Sequence, residues 1–248
     1  LAVATEFTIE RFIEETKKQT PPFNDTLRNL GYHYGDCPLG YELWRNFAGC
    51  DQIKTLIQGL KTQPESRRHL LTAYDPNYTN VALAPCHVMA QLNCREIDYE
   101  DRVKLFYKNA NYHGVVLMDS QSLDEYLIPK YYLDCQLYQR SADVFLGVPY
   151  NTASYALLTN ILAEICGMIP GDLIHTFGDV HIYENHMAQV DEQLSRTPTE
   201  LPTLHILNDI SIDVSFDDLI NCIEPHWFSL YNYNPQPSIK AKLSTGLI

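Results

Sequence analysis

Residues 131–158 read YYLDCQLYQRSADVFLGVPYNTASYALL. Between Tyr132 and Val144 the apolar Leu133, Cys135 and Leu137 alternate with Asp134, Gln136 and Tyr138, the two-residue period of a strand with one face buried. Residues 150–168 are apolar almost all round, as expected of a helix enclosed by a core. Asn151 and Thr152 stand where an N-cap is expected. A sheet with one buried face and a helix against it follows.

Working outward, residues 66–74 and 82–94 read as further strands. From Asp51 to Thr62 the apolar Ile53, Leu56, Ile57 and Leu60 recur at helical spacing, and Pro64 stops the run. The first third up to that proline reads as helix, loop and short strand, with a Pro21-Pro22 break. Residues 95–130 form a mixed polar segment with no repeat or compositional bias, an inserted surface elaboration. The last third gives a polar linker around Pro198 and Pro202, a strand at residues 227–233 and a Pro-rich tail. The expected organisation is one α+β or α/β domain over residues 1–248 with the insertion at 95–130.

The bulk numbers fit that organisation and narrow the function. With 248 residues, 45% of them hydrophobic, the chain buries one sizeable core. A formal charge of -13 argues against a nonspecific grip on nucleic acid, which needs surplus Lys and Arg against phosphates; a basic pocket for one small phosphate remains open. Seven scattered cysteines, with no C-x-x-C pair and no Cys/His spacing for zinc, indicate thiols in a reducing compartment, the cytoplasm, and no metal. The longest apolar stretch, residues 155–168, is interrupted by Asn160 and Glu164 and falls short of the ~20 residues that span a bilayer. The protein is expected to be soluble.

Pro85-Cys86-His87 puts a cysteine after a proline at a strand end, with a histidine beside it. Spacing alone leaves Cys86 open between a small buried hydrophobe and a nucleophile. Its company is more specific: Arg67 and Arg68, then Gln139-Arg140-Ser141-Ala142-Asp143, Asn151, and Gly178-Asp179-Val180-His181-Ile182-Tyr183. Together they offer guanidinium and hydroxyl donors for a phosphate, a carboxamide for a base edge, and an imidazole and phenol for a sugar.

The runs LDCQLYQRSADVFLGVPYNTASYALL from Leu133, ESRRHLLTAYDP from Glu65, LAPCH and HTFGDVHIYENHMAQVDEQLSRTP from His175 resemble thymidylate synthase, over roughly residues 35–94 and 131–240. The resemblance implies that family's two-layer α+β fold, a large mixed sheet packed against its dimer mate and covered by helices. It implies a catalytic Cys86 that adds to C6 of a uracil ring, with Arg140 facing both nucleophile and phosphate and His87 beside them. A thiol titrating near ~8.5 needs such a cation to be a thiolate at neutral pH. Arg140 and Ser141 would hold the 5′-phosphate of dUMP, and Arg67 and Arg68 would reach in from the other subunit of a homodimer. Gln139 and Asn151 would meet the base, and His181 and Tyr183 the 3′-hydroxyl. Asp143, Leu146 and Gly147 would receive the folate of 5,10-methylenetetrahydrofolate. Asn151, where cytosine-using relatives carry an aspartate, implies dUMP and not dCMP, since a carboxamide presents both donor and acceptor to O4 and N3–H.

The departures lie on the folate side. Residues 9–18, IERFIEETKK, resemble the matching helix of phage deoxycytidylate hydroxymethylases, not the regular segment of ordinary synthases. Glu14, or Glu15, would be the proton-relay carboxylate, unless that face is only solvated. The insertion and the tail, which lacks a Pro-Val-Ala finish, also differ. A synthase must exclude water from its exocyclic intermediate whereas a hydroxymethylase admits it, so the leading expectation is a dUMP hydroxymethylase, with thymidylate synthase second and a silent nucleotide- or RNA-binding relative third.

Overall fold

The computed structural model describes residues 51–74, 85–110, 119–206 and 223–244. Its centre is a four-stranded sheet in the order β1 (Leu70–Thr72), β2 (His87–Glu96), β3 (Tyr131–Asp143), β4 (Ile169–His181), with β1–β2 and β2–β3 antiparallel and β3–β4 parallel. A parallel pair needs a crossover, which the helix between β3 and β4, α4 (Gly147–Ile165), supplies. The sheet is therefore mixed and its helix layer lies on one face, as the alternation in β3 requires. Leu133, Cys135 and Leu137 are at most 1% exposed and join Leu71, Ala90 and Leu92 from the neighbouring strands against Tyr155, Ile161, Leu162 and Ile165 of α4. Each such side chain contributes on the order of 1.5–3 kcal/mol relative to exposure.

Helix α1 (Gln52–Thr62) follows the expected pattern. The Asp51 carboxylate accepts from Lys54 N at 3.0 Å, and Ile53, Leu56, Ile57 and Leu60 are buried. It ends at Gln63, before Pro64. Gln52 clamps the edge strand at both backbone groups of Thr72, donating to its carbonyl at 3.0 Å and accepting from its N–H at 2.9 Å, so part of the exposed edge is satisfied.

Two expectations change. The strand expected at 66–74 is only Leu70–Thr72, since residues 64–69 form turns, and the strand expected at 82–94 runs His87–Glu96, residues 82–84 lying outside the described residues. Asn151 and Thr152 do not cap α4. The helix begins a turn earlier at Gly147, because the Asp143 carboxylate accepts from Phe145 N (3.1 Å) and Leu146 N (3.4 Å) and organises the entry from β3, while Pro149 sits in the first turn where its missing N–H costs nothing. The described part of the segment 95–130, expected as a surface elaboration, carries two helices, α2 (Tyr99–Ala110) and α3 (Ser120–Glu125).

Those helices enclose a small core of their own, Leu123 and Ile128 with Val103, Leu105 and Phe106. Arg102, 7% exposed, pins it by donating to Asp124 Oδ1 (2.7 Å) and to the carbonyls of Ile128 (2.8 Å) and Pro129 (3.1 Å). Beyond β4 come α5 (Met187–Leu194) and an antiparallel pair, β5 (Thr203–Ile206) and β6 (Phe228–Tyr231). The strand expected over 227–233 is thus Phe228–Tyr231.

Candidate functional site

Cys86 lies half-buried in the bend that opens β2, and Arg140 of β3 holds that bend twice. Its backbone N–H donates to the Cys86 carbonyl at 2.8 Å and its Nε–H to the Pro85 carbonyl at 3.0 Å. One residue thus fixes the cysteine backbone and the course of its own guanidinium. Cys86, Cys94, Cys135 and Cys166 are all outside disulfides. Burial pushes the Cys94 and Cys135 thiols up to about 11 and Cys166 up to about 12, with the Asp134 charge adding to the rise at Cys94. These three are neutral packing groups.

His87 reaches the interior because of a bulge. Met89 pairs with Tyr138 on the open face, and unbroken alternation would put His87 on that face too. The register shifts between His87 and Met89, so His87 pairs with Gln139 and turns toward α4. There its ring meets the edge of Tyr155, centroids 5.3 Å apart. Burial lowers its pKa, partly opposed by the Asn151 side chain.

Gln139, 2% exposed, continues the inward parity of Leu133, Cys135 and Leu137 and therefore needs polar partners. Its Nε2 donates to Asn151 Oδ1 at 2.9 Å and to the Ser141 carbonyl at 2.8 Å, while its Oε1 lies 2.9 Å from His175 Nε2. His175 Nδ1 is 3.0 Å from Thr152 Oγ1. Burial, and secondarily the nearby His87, pushes His175 down to about 4. Thr152 and His175 were absent from the expected site. The available signal was parity: Leu173, His175 and Phe177 share the helix-covered side of β4, where a histidine calls for a partner.

At the carboxyl end of β3, Asp143 pairs in register with His181, and Val144 N donates to the His181 carbonyl at 3.0 Å. His181 Nδ1 lies 2.8 Å from Asp179 Oδ1, and its ring stands edge-on to Tyr183 at 5.1 Å. Gly147 opens α4 beside both groups, where a Cβ would make ordinary contacts at 3.5 Å with Asn151 Oδ1 and Asp143 Cβ. Leu146 is the residue just before that helix and donates its N–H to Asp143. Behind them the buried His186 is 2.7 Å from the Lys242 carbonyl and packs its ring near Tyr183 and Phe145, tying the tail to this corner.

The structure thus gathers Cys86, His87, Gln139, Arg140, Ser141, Asp143, Leu146, Gly147, Asn151 and His181 at the ends of β2, β3 and β4 and the start of α4, with Tyr183 adjoining. Arg67 and Arg68 stand apart, exposed in the turn before the edge strand β1, with Gln91 Nε2 donating to the Arg67 carbonyl at 3.3 Å. Glu14 and Glu15 lie outside the described residues. Among the described residues no group of three His, Cys, Asp or Glu is placed to hold a metal ion, and no helix is long and apolar enough to cross a membrane.

Beside this geometry, a cysteine-bearing turn held by arginine, a carboxamide network and a histidine–tyrosine pair, stand the comparisons with known proteins. The family model described as thymidylate synthase matches residues 11–245. The chain is 39% identical over 228 residues to the protein named "Probable thymidylate synthase" of Escherichia phage T5, covering 91% of this chain and 69% of that one. It is also 39% identical over 219 residues to the thymidylate synthase of Staphylococcus haemolyticus, covering 85% of this chain and 55% of that one, so it spans little more than half of that relative. The crystal structure of thymidylate synthase from T4 phage superposes with a TM-score of 0.63 at 36% identity, over 90% of this chain and 68% of that chain. The chain belongs to the thymidylate synthase family, whose members are methyltransferases using a reduced folate.

Proposed function

We propose that the chain methylates C5 of dUMP, with 5,10-methylenetetrahydrofolate as one-carbon donor, giving dTMP and dihydrofolate. The observation that carries this reading is the double hold of Arg140 on Pro85 and Cys86 beside the Gln139–Asn151 amide pair. The names of the relatives support methylation over the hydroxymethylation expected from residues 9–18, a segment outside the described residues.

In this reading the Cys86 thiolate adds to C6, which makes C5 a nucleophilic enolate carbon. Arg140 stabilises the thiolate and, with Ser141, meets the 5′-phosphate. Asn151 pairs with O4 and N3–H, with His87 beside it, and His181 and Tyr183 take the 3′-hydroxyl. The folate supplies the carbon and the reducing equivalents. Its pyrimidinone N–H groups suit Asp143, whose Oδ1 is held by two backbone N–H groups and so fixes the direction of Oδ2. We assign a single catalytic domain with the 95–130 segment as an appended unit, and a homodimer in a reducing cytoplasm.

Incubation with dUMP and methylenetetrahydrofolate tests the reading. Growth of dihydrofolate absorbance with dTMP as product supports it. A nucleotide product one oxygen heavier, with tetrahydrofolate left unoxidised, replaces methylation by hydroxymethylation. Failure to release tritium from 5-labelled dUMP makes the chain a silent relative, and release by Cys86→Ala as fast as by wild type removes covalent catalysis altogether.

A further inference from the structure

We propose that His69 is a positioning residue that holds the turn carrying Arg67 and Arg68 in the shape in which both guanidinium groups meet the 5′-phosphate of dUMP. The proposal rests on the reading that this enzyme acts on dUMP and that these two arginines serve the phosphate.

His69 is 4% exposed, whereas Arg67 and Arg68 just before it are exposed. Its backbone belongs to the sheet, where the His69 carbonyl accepts from Leu92 N of β2 at 2.8 Å. Its side chain belongs to α1. The ring lies over Gly59, where a Cβ would come within 3.1 Å of Cε1 and Nδ1, and Nε2 stands 3.0 Å from the Gln63 carbonyl just past the end of the helix. A carbonyl can only accept, so Nε2 carries a hydrogen whatever the state of Nδ1, and the direction of this bond is fixed.

The Gln63 carbonyl also accepts from Ser66 N at 2.9 Å. His69 therefore closes the segment 64–68 onto its own starting point, joining the end of α1 to the start of β1 across the two arginines. Of the side-chain bonds on this turn, those of Ser66 Oγ to Arg68 N and Gln91 Nε2 to the Arg67 carbonyl are 3.3 Å long and exposed to water, whereas that of His69 is shorter and partly buried. Packing adds little beneath it, because a cleft opens between α1 and the turn, lined by Gln52, Gly59, Gln63, Ser66 and Arg68 among others. Two guanidinium groups grip one phosphate only when their backbone is set. A loosened turn lowers the share of molecules ready for the anion, and the apparent affinity falls by that share.

Equilibrium binding to the full chain of dUMP, and of deoxyuridine, which lacks the phosphate, tests this, with thermal unfolding and light scattering of each variant alongside. His69→Leu fills the space and has no N–H for Gln63. It should weaken dUMP about tenfold and leave deoxyuridine unchanged. His69→Gln returns an N–H at the reach of Nε2 and should recover most of the affinity. With Arg67→Ala/Arg68→Ala already in place, His69→Leu should add nothing, because a residue that acts through the arginines has no effect without them. If His69→Leu fails to fold, Gly59→Ala, which presses a methyl group against the ring, decides by a smaller loss of the same kind.

A loss shared equally by dUMP and deoxyuridine, or one that follows dissociation of the chains, would mean a merely structural role and overturns the proposal. So does a full His69→Leu effect in the absence of the arginines. Unchanged dUMP affinity in folded His69→Leu, or in Gly59→Ala where that variant is unfolded, overturns it too. A wild-type chain that does not bind dUMP, or an Arg67→Ala/Arg68→Ala chain that binds it as well as wild type, removes the functional reading and the proposal with it. An arginine variant that loses dUMP while folded His69→Leu keeps it removes the proposal alone.

Discussion

At the scale of single residues, Arg140 ties the backbone at Cys86, the nucleophile of the proposed reaction, to its own guanidinium. Lysine would keep the charge but has no Nε–H to give the Pro85 carbonyl, and a point charge cannot fork between two acceptors. Arg140→Lys should therefore lower kcat/KM by about 100-fold, with the loss mainly in kcat, because a displaced Cys86 hurts the covalent step more than the encounter. Steady-state kinetics against dUMP checks this. Cys86, Arg140 and Asn151 were singled out from their neighbours in the chain, and the structure places all three at one corner of the sheet. His175 was not singled out, since its partners Gln139 and Thr152 come from β3 and α4. Its lowered pKa also makes stability depend on pH. An ordinary histidine titrates near 6.5, so between about 6.5 and about 4 the unfolded chain binds a proton that folded His175 refuses. Stability is complete above that window and declines as pH falls through it, with His87 acting in the same direction. The thermal midpoint should drop less steeply from about pH 6.5 to about 4.5 in His175→Gln than in wild type.

At the scale of elements, the strand β3 and helix α4 could be read from hydrophobic period, and α1 was read nearly to the residue. What could not be read were the places where one strand depends on another. The bulge that turns His87 inward exists only in the pairing of β2 with β3, and the true start of α4 depends on the hydrogen bonds of Asp143, not on a polar residue at a guessed cap. The same interdependence marks Gly178. It lies on β4 between the register pairs Gln139–Phe177 and Ser141–Asp179, and a Cβ there would come within 2.7 Å of the Arg140 carbonyl and 3.0 Å of the Tyr138 hydroxyl. The nearer contact is backbone and cannot swing aside. Gly178→Ala should push β4 from β3 at Arg140, costing about 1–3 kcal/mol by thermal or urea unfolding and lowering kcat beyond the share explained by unfolded protein. An unchanged midpoint would show that the two strands separate without strain at this point.

At the scale of the whole molecule, one face of the sheet that the described residues leave partly exposed has to be explained. Leu70 (43% exposed), Met89 (39%), Tyr138 (39%) and Ile174 (46%) lie on successive strands, opposite the face covered by α4. Four large apolar side chains across one sheet form a surface that a second copy would bury. Arg67 and Arg68 flank the same edge, two strands from β3, which suits the proposal that they serve the partner's phosphate site and not their own. Mixing two inactive variants separates these possibilities. In a dimer of Cys86→Ser with the double variant Arg67→Ala/Arg68→Ala, one site takes its cysteine and its arginines from the defective sources, and the other takes both from intact ones. Random exchange makes half the dimers mixed and each mixed dimer half active, so unfolding and refolding an equimolar mixture should restore about a quarter of wild-type activity. If each chain's arginines served its own Cys86, every site in the mixture would lack one or the other, and no activity would return. Placing Ile174→Glu in both variants should abolish the recovery as well, because a buried carboxylate on the shared face prevents the chains from pairing.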